Sequence, residues 1–192
     1  MIRTRPQRQR VQRWFNGVPA EIFVNPPHQV ERYFAEERRA SRPITAHMLA
    51  NGAVVLALDP VVERLRAQAQ AELERAPAPS DADLRWERYV AALELEDGLD
   101  ILDEDPAGAA MILGGAVHKM ARYAFRQAGR MVPRDKDLVS ALETLDPALA
   151  EAARRFYREC DPAVQRALAE QIADRTLGVR GFFEWESEPE EV

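Results

Sequence analysis

The chain has 192 residues, 46% apolar and 30% charged, a globular balance that excludes wholesale disorder and allows one full domain plus a smaller lobe. Its net charge of −6 argues against a non-specific nucleic-acid binder, which needs a basic surface to neutralise phosphates. No apolar run approaches the ~18 residues of a membrane span, no secretory signal opens the chain, and a single cysteine permits no internal disulfide. These features point to a soluble, cytoplasmic protein without membrane contact.

The termini carry opposite charge. Arg3, Arg5, Arg8, Arg10 and Arg13 form a basic opening, and Glu184, Glu186, Glu188, Glu190 and Glu191 an acidic end; both read as solvated tails. Residues 10–25 read as a β-hairpin. Val11, Trp14 and Phe15 precede Asn16-Gly17, the dipeptide suited to positive φ in a tight turn, and Val18, Ile22, Phe23 and Val24 follow before Pro26-Pro27 stops the strand. A short amphipathic helix from His28, a second helix over Ile44 to Ala50, and a buried strand over Ala53 to Leu58 are expected next. So small a sheet needs further strands or a covering helix.

Four Asp-Pro dipeptides, at Asp59, Asp105, Asp146 and Asp161, each set a capping carboxylate before a proline suited to the first helical turn. The pattern predicts helices near 60–75, 82–103, 106–128, 135–145, 147–159 and 162–176. The Ala76-Pro77-Ala78-Pro79-Ser80 stretch is the clearest linker. Cys160, beside the helix ending near 159, reads as a packing residue.

Several residues could carry chemistry. Alternation puts Glu21 on the side of Phe23, where it is either a metal ligand or base, or a solvated strand residue. Within helix 82–103, Trp86, Val90, Leu93, Asp97 and Ile101 fall on one stripe, which would set Asp97 on the apolar face. There it would line a pocket, unless a bend at Gly98 lets it reach water or an arginine. On helix 106–128, His118, Arg122 and Arg126 recur every four residues with Lys119 beside them. This stripe could bind phosphates, or pair with the acids between Glu87 and Asp105. Gly114-Gly115 on the same helix would admit a second backbone, and Arg134, Asp135 and Lys136 open the next helix. Arg42 and His47 match the Arg-x-x-x-x-His spacing of some helical toxin ribonucleases, a match expected by chance. No phosphate loop, Gly-x-Gly-x-x-Gly, His-Glu-x-x-His, zinc spacing or nucleophile elbow occurs.

Taken together, three stretches resemble the later part of a nucleotidyltransferase of the aminoglycoside (kanamycin-type) class. They are Phe15-Asn16-Gly17-Val18-Pro19-Ala20-Glu21-Ile22-Phe23-Val24-Asn25-Pro26, Arg42-Pro43-Ile44-Thr45-Ala46-His47-Met48-Leu49-Ala50-Asn51-Gly52, and Pro133-Arg134-Asp135-Lys136-Asp137-Leu138. The resemblance spans about 10–178. It implies a sheet lobe with Glu21 at the third metal-binding carboxylate, Mg2+ with ATP or another nucleotide, and a helical domain shaping an acceptor pocket, often across a dimer. The family's Gly-Ser and Asp-x-Asp motif is absent, so the resemblance implies the fold's later half without transfer by this chain alone.

The expected architecture is α+β and predominantly helical. A truncated nucleotidyltransferase-like sheet lobe at 1–58 precedes an exit helix and linker at 59–79, a helical bundle at 80–178 and an acidic tail at 179–192. The expected function is a degenerate or N-terminally truncated nucleotidyltransferase-like protein. It would bind a nucleotide or small acceptor, with Glu21 as the remnant metal or base position, His118, Arg122 and Lys136 toward phosphate, and Asp97 at the pocket. The alternative is a non-catalytic interaction protein whose open sheet edge pairs with a second copy or a partner chain.

Overall fold

The computed structural model describes residues 1–2, 7–187 and 189; the expectations for Arg3, Arg5, Glu188, Glu190 and Glu191 lie outside the described residues. The chain divides into two compact units, Met1–Ala78 and Pro79–Val192. Its fold is α+β and predominantly helical, as the sequence leads one to expect. Among the described residues, no helix is long and apolar enough to cross a membrane.

The first unit opens with the hairpin. Strands β1 (Gln9–Phe15) and β2 (Val18–Val24) pair antiparallel, with Phe15 opposite Val18 and Gln9 opposite Val24. Asn16 and Gly17 form the turn at φ 49° and 80°, the doubly positive geometry whose twist matches the flanking strands. Helices α1 (Pro27–Arg39), α2 (Ile44–Asn51) and α3 (Val61–Glu74) follow. Val30 and Phe34 of α1, Ala46 of α2, and Leu65 and Ala69 of α3 bury together as a small core. Glu37 ties the α1–α2 corner, accepting from the Thr45 backbone N–H and hydroxyl at 2.6 Å each. Arg66 of α3 donates to the Leu49 carbonyl at 3.0 Å, near the free carbonyl end of α2.

The expected strand over Ala53 to Leu58 is not formed. The segment is irregular and exposed, with Val55 at 96% and Leu58 at 88%. An apolar run becomes a buried strand only where a neighbour can satisfy its backbone, and the sheet consists of β1 and β2 alone among the described residues.

The second unit is a bundle. It comprises α4 (Asp81–Asp100), α5 (Pro106–Gln127), a 3-10 turn (Asp135–Asp137), α6 (Leu138–Leu145), α7 (Pro147–Phe156) and α8 (Pro162–Thr176). Ser80 and Asp83 form a reciprocal capping box at the start of α4. Asp105, Asp146 and Asp161 cap α5, α7 and α8 through their side chains, each followed by proline. At Asp59 the carboxylate instead accepts from Val61 N–H at 2.8 Å, and the helix starts after the proline. Leu95, Leu102, Leu113, Met120, Leu142, Leu149 and Ile172 are the large fully buried side chains of this core, each worth roughly 1.5–3 kcal/mol against exposure. Cys160 is exposed in the link between α7 and α8 rather than packed, because α7 ends at Phe156.

Candidate functional site

Glu21 projects from β2 on the same side as Phe23, and it stands beside a cation. Its carboxylate lies 3.5 Å from Arg10 Nε, while the Arg10 guanidinium sits 4.6 Å over the Phe23 ring. Among the described residues, no three His, Cys, Asp or Glu side chains gather closely enough to hold a metal. A lone carboxylate paired with arginine does not fit a magnesium pair, so no step through that metal follows.

Asp97 does not lie on the buried face of α4. It is exposed, and the helix buries Ala91, Ala92, Leu95 and Gly98 instead. The large residues Trp86 and Leu93, which define the expected stripe, are 55% and 40% exposed. The buried stripe is built of small residues because α5 approaches closely. A Cβ on Gly98 would sit 2.7 Å from Leu113 Cδ2.

The cations of α5 find acids. Arg126 Nε lies 2.9 Å from Glu87 of α4, and Lys119 donates to both Glu94 oxygens at 2.6 and 2.7 Å. His118 Nε2 and Arg122 Nη1 share one oxygen of Asp135, each at 3.3 Å. The structure thus brings His118 and Arg122 together, while Lys136 is exposed on the adjacent 3-10 turn. A cleft of about 290 Å³ beside this face is lined by Trp86, Glu87, Val90, Lys119 and Arg122. Near Gly114 and Gly115 the neighbours are side chains rather than a second backbone: Tyr157 donates to Gly114 O at 2.8 Å, and Glu94 lies close to Gly115. In the first unit, Arg42 is half-buried before α2 and His47 is exposed on it.

A larger cleft, about 590 Å³, opens along α4 where residues 181–186 run beside the helix. This stretch is not simply a solvated tail. Val179 and Phe183 pack against the bundle core, and Arg88 of α4 lies 4.5 Å from the Phe183 ring while donating to Leu177 O at 2.9 Å. The Trp185 ring packs tilted against Tyr89, centroids 4.9 Å apart, and meets Trp86 edge-on at 6.0 Å. Gly181, at φ 147°, passes close to Glu96, and a Cβ there would meet its carboxylate at 3.4 Å. Tyr89, Phe182 and Trp185 therefore line the cleft together with Glu96, Glu184 and Glu186. Those three acids have no ion-pair partner among the described residues, in contrast to Glu87 and Glu94. The alternation of aromatics and acids in Phe183-Glu184-Trp185-Glu186 is the signal that separates this segment from an ordinary acidic tail.

No family model matches the chain, and no curated protein matches it either. Among solved structures it is similar to a nucleotidyltransferase-like protein from Exiguobacterium sibiricum, with a TM-score of 0.59. The chain shares the backbone fold of this neighbour over the aligned part. The alignment covers 92% of this chain and 60% of that one, at 12% identity, so the chain spans less than two thirds of its neighbour's length. At that identity the likeness is one of backbone.

Proposed function

We propose that this nucleotidyltransferase-like chain is a binding protein whose helical unit holds a small amine-bearing acceptor in the cleft between α4 and residues 181–186. The observation that carries the reading is the pairing of aromatic faces with carboxylates that make no ion pair among the described residues: Tyr89, Phe182 and Trp185 beside Glu96, Glu184 and Glu186. Ammonium groups are attracted both to aromatic faces and to carboxylates, and the cleft volume suits a small ligand. Nucleotidyl transfer by this chain alone is not part of the reading.

The nucleotide side of the resemblance falls on a different surface. A phosphate reaching His118 and Arg122 would have to replace Asp135, which both already contact. ATP binding there is therefore weak unless Asp135 moves, and Lys136 would be the auxiliary cation.

The test is a tryptophan-fluorescence titration with spermidine and, separately, with its fully acetylated form. The expected result is saturable quenching by spermidine, loss of the response on acetylation, and about tenfold weaker binding in Glu96→Gln, one charge-assisted contact being worth about 1.5 kcal/mol. Equal responses to the charged and acetylated forms would remove the basis for the proposal.

A further inference from the structure

The aromatic cleft continues past residues 181–186. A second cleft of about 500 Å³ opens beside it, and Glu96, Gly181 and Phe182 line both. Helix geometry explains the continuity. Tyr89, Leu93, Glu96 and Asp100 recur on α4 at intervals of four, three and four, which sets them along one face. Tyr89 and Asp100 then stand about 16 Å apart along the axis, at a rise of about 1.5 Å per residue.

Charge is spaced along this face rather than gathered in one spot. The second cleft has two arginines in its wall, and both are already matched. Arg180 donates to Asp174 at 2.8 and 2.7 Å and to Glu170 at 2.7 Å, and Arg166 donates to Asp103 at 3.2 Å. Asp100, which lines the second cleft alone, makes no ion pair among the described residues. Glu184 and Glu186 therefore mark one end of the joined clefts, Asp100 the other, and Glu96 the junction. The remaining lining includes apolar surface from Leu93 and Leu99 of α4 and from Phe182, which is 84% exposed.

We propose, resting on the amine-binding reading of the aromatic cleft, that the two clefts together take one linear aliphatic polyamine. One terminal ammonium lies against the rings of Tyr89 and Trp185, an inner ammonium passes Glu96, and the far ammonium reaches Asp100. The methylene segments lie on Leu93, Phe182 and Leu99. A polyamine carries its cations at intervals along an apolar chain, so carboxylates meet ammonium groups and apolar side chains meet methylenes. A compact monoamine would satisfy the aromatic end and leave Asp100 unused. The joined clefts thus select for the length and charge spacing of the ligand as well as for its amine.

Calorimetric titration of the full chain with spermine and, separately, with the short diamine putrescine tests this in wild type, Asp100→Lys and Asp97→Lys. Asp97 is exposed on the same helix and lines neither cleft, so its variant is a control carrying the same change in net charge. Both aspartates are exposed in the last turn of α4, where lysine suits the helix dipole, and circular dichroism verifies that each variant keeps its helices. Wild type is expected to bind spermine about tenfold more tightly than putrescine. Asp100→Lys turns an attraction into a repulsion and should weaken spermine about tenfold while leaving putrescine within about twofold. Asp97→Lys should weaken spermine by less than about threefold. Spermine binding no tighter than putrescine in wild type, or weakened equally by the two variants, overturns the polyamine assignment and leaves the amine-binding reading standing. Absence of binding by both amines removes that reading and the assignment with it.

Discussion

Arg126 Nε lies 2.9 Å from Glu87 Oε2 across the α4–α5 packing surface, and this arginine is only 6% exposed. Its Nε–H is not aligned as a hydrogen bond, so the contact is an ion pair between a buried cation and a half-buried acid. Removing the acid strands the cation. Glu87→Ala should therefore destabilise the bundle by about 1–3 kcal/mol, less than the roughly 3–5 kcal/mol of a fully buried pair, because Glu87 keeps some solvent and its burial offsets part of the attraction. Urea denaturation followed by circular dichroism measures it.

Glu87 also sets a pH dependence. Burial pushes its carboxyl upward, with Arg126 and Arg122 opposing and Asp83 assisting, and the net shift is upward. The folded state thus holds this proton more tightly than the unfolded chain. The Glu87 contribution improves as pH falls through the raised folded value and is complete below the ordinary 4.5. Comparing stability from pH 7 to pH 4.5 in wild type and Glu87→Gln should show this improvement only in wild type.

Asp146 runs the other way. It accepts from Ala148 and Leu149 N–H at 3.0 and 3.1 Å, and from Arg175 of α8 at 2.8 and 2.9 Å. Burial pushes its carboxyl up, but these donors outweigh that and hold it below the ordinary 3.8. Its contribution is present above pH 3.8 and lost as pH falls through the lowered folded value. Asp146→Ala should cost about 1–2 kcal/mol at pH 7, chiefly through the lost cap, and thermal melts at pH 7 and pH 2 should show the deficit shrinking in acid.

Gly98 is a packing residue. A Cβ there meets Leu113 Cγ and Cδ2 at 2.7 Å, with the Leu113 backbone nitrogen at 3.2 Å. Leu113 is fully buried and its backbone nitrogen stands close by, so even a single methyl forces a shift and larger replacements force more. Gly98→Val should destabilise by about 2–3 kcal/mol through overpacking, which a thermal melt will report.

The pattern of success and failure in the sequence has physical causes. Asn16-Gly17 and the Asp-Pro caps are local devices, decided within four residues, and so they were legible. The run Ala53 to Leu58 needed a neighbouring strand, which is a non-local requirement that composition does not reveal. The stripe through Asp97 misleads because its large side chains, Trp86 and Leu93, stay exposed. The contact with α5 instead selects the small Ala91, Ala92 and Gly98, which permit close approach. The stripe His118, Arg122, Arg126 was legible as a helical face, and pairing with acids was one of its two readings. The share taken by Asp135, however, depends on where the 3-10 turn folds back. The aromatic cleft is hard to see in the sequence because five glutamates give the stretch around Phe183 and Trp185 the composition of a charged tail.

If His118 and Arg122 are held by Asp135 at the expense of phosphate, removing that acid should release them. Asp135→Ala is expected to raise affinity for MgATP several-fold, as two cations lose their competing partner. Equilibrium dialysis with labelled ATP checks this, and Arg122→Ala in the same background should reverse it.

The central claim is that the cleft along α4 takes an amine cation between Tyr89, Trp185 and the acids Glu96, Glu184 and Glu186. Calorimetric titration of spermidine into wild type and Trp185→Ala tests it most directly. The account predicts saturable binding to wild type that weakens with salt and falls at least fivefold in the variant, in line with the loss of one desolvated cation–π contact of about 1 kcal/mol or more. No heat of binding, or binding that is indifferent to Trp185, would contradict it.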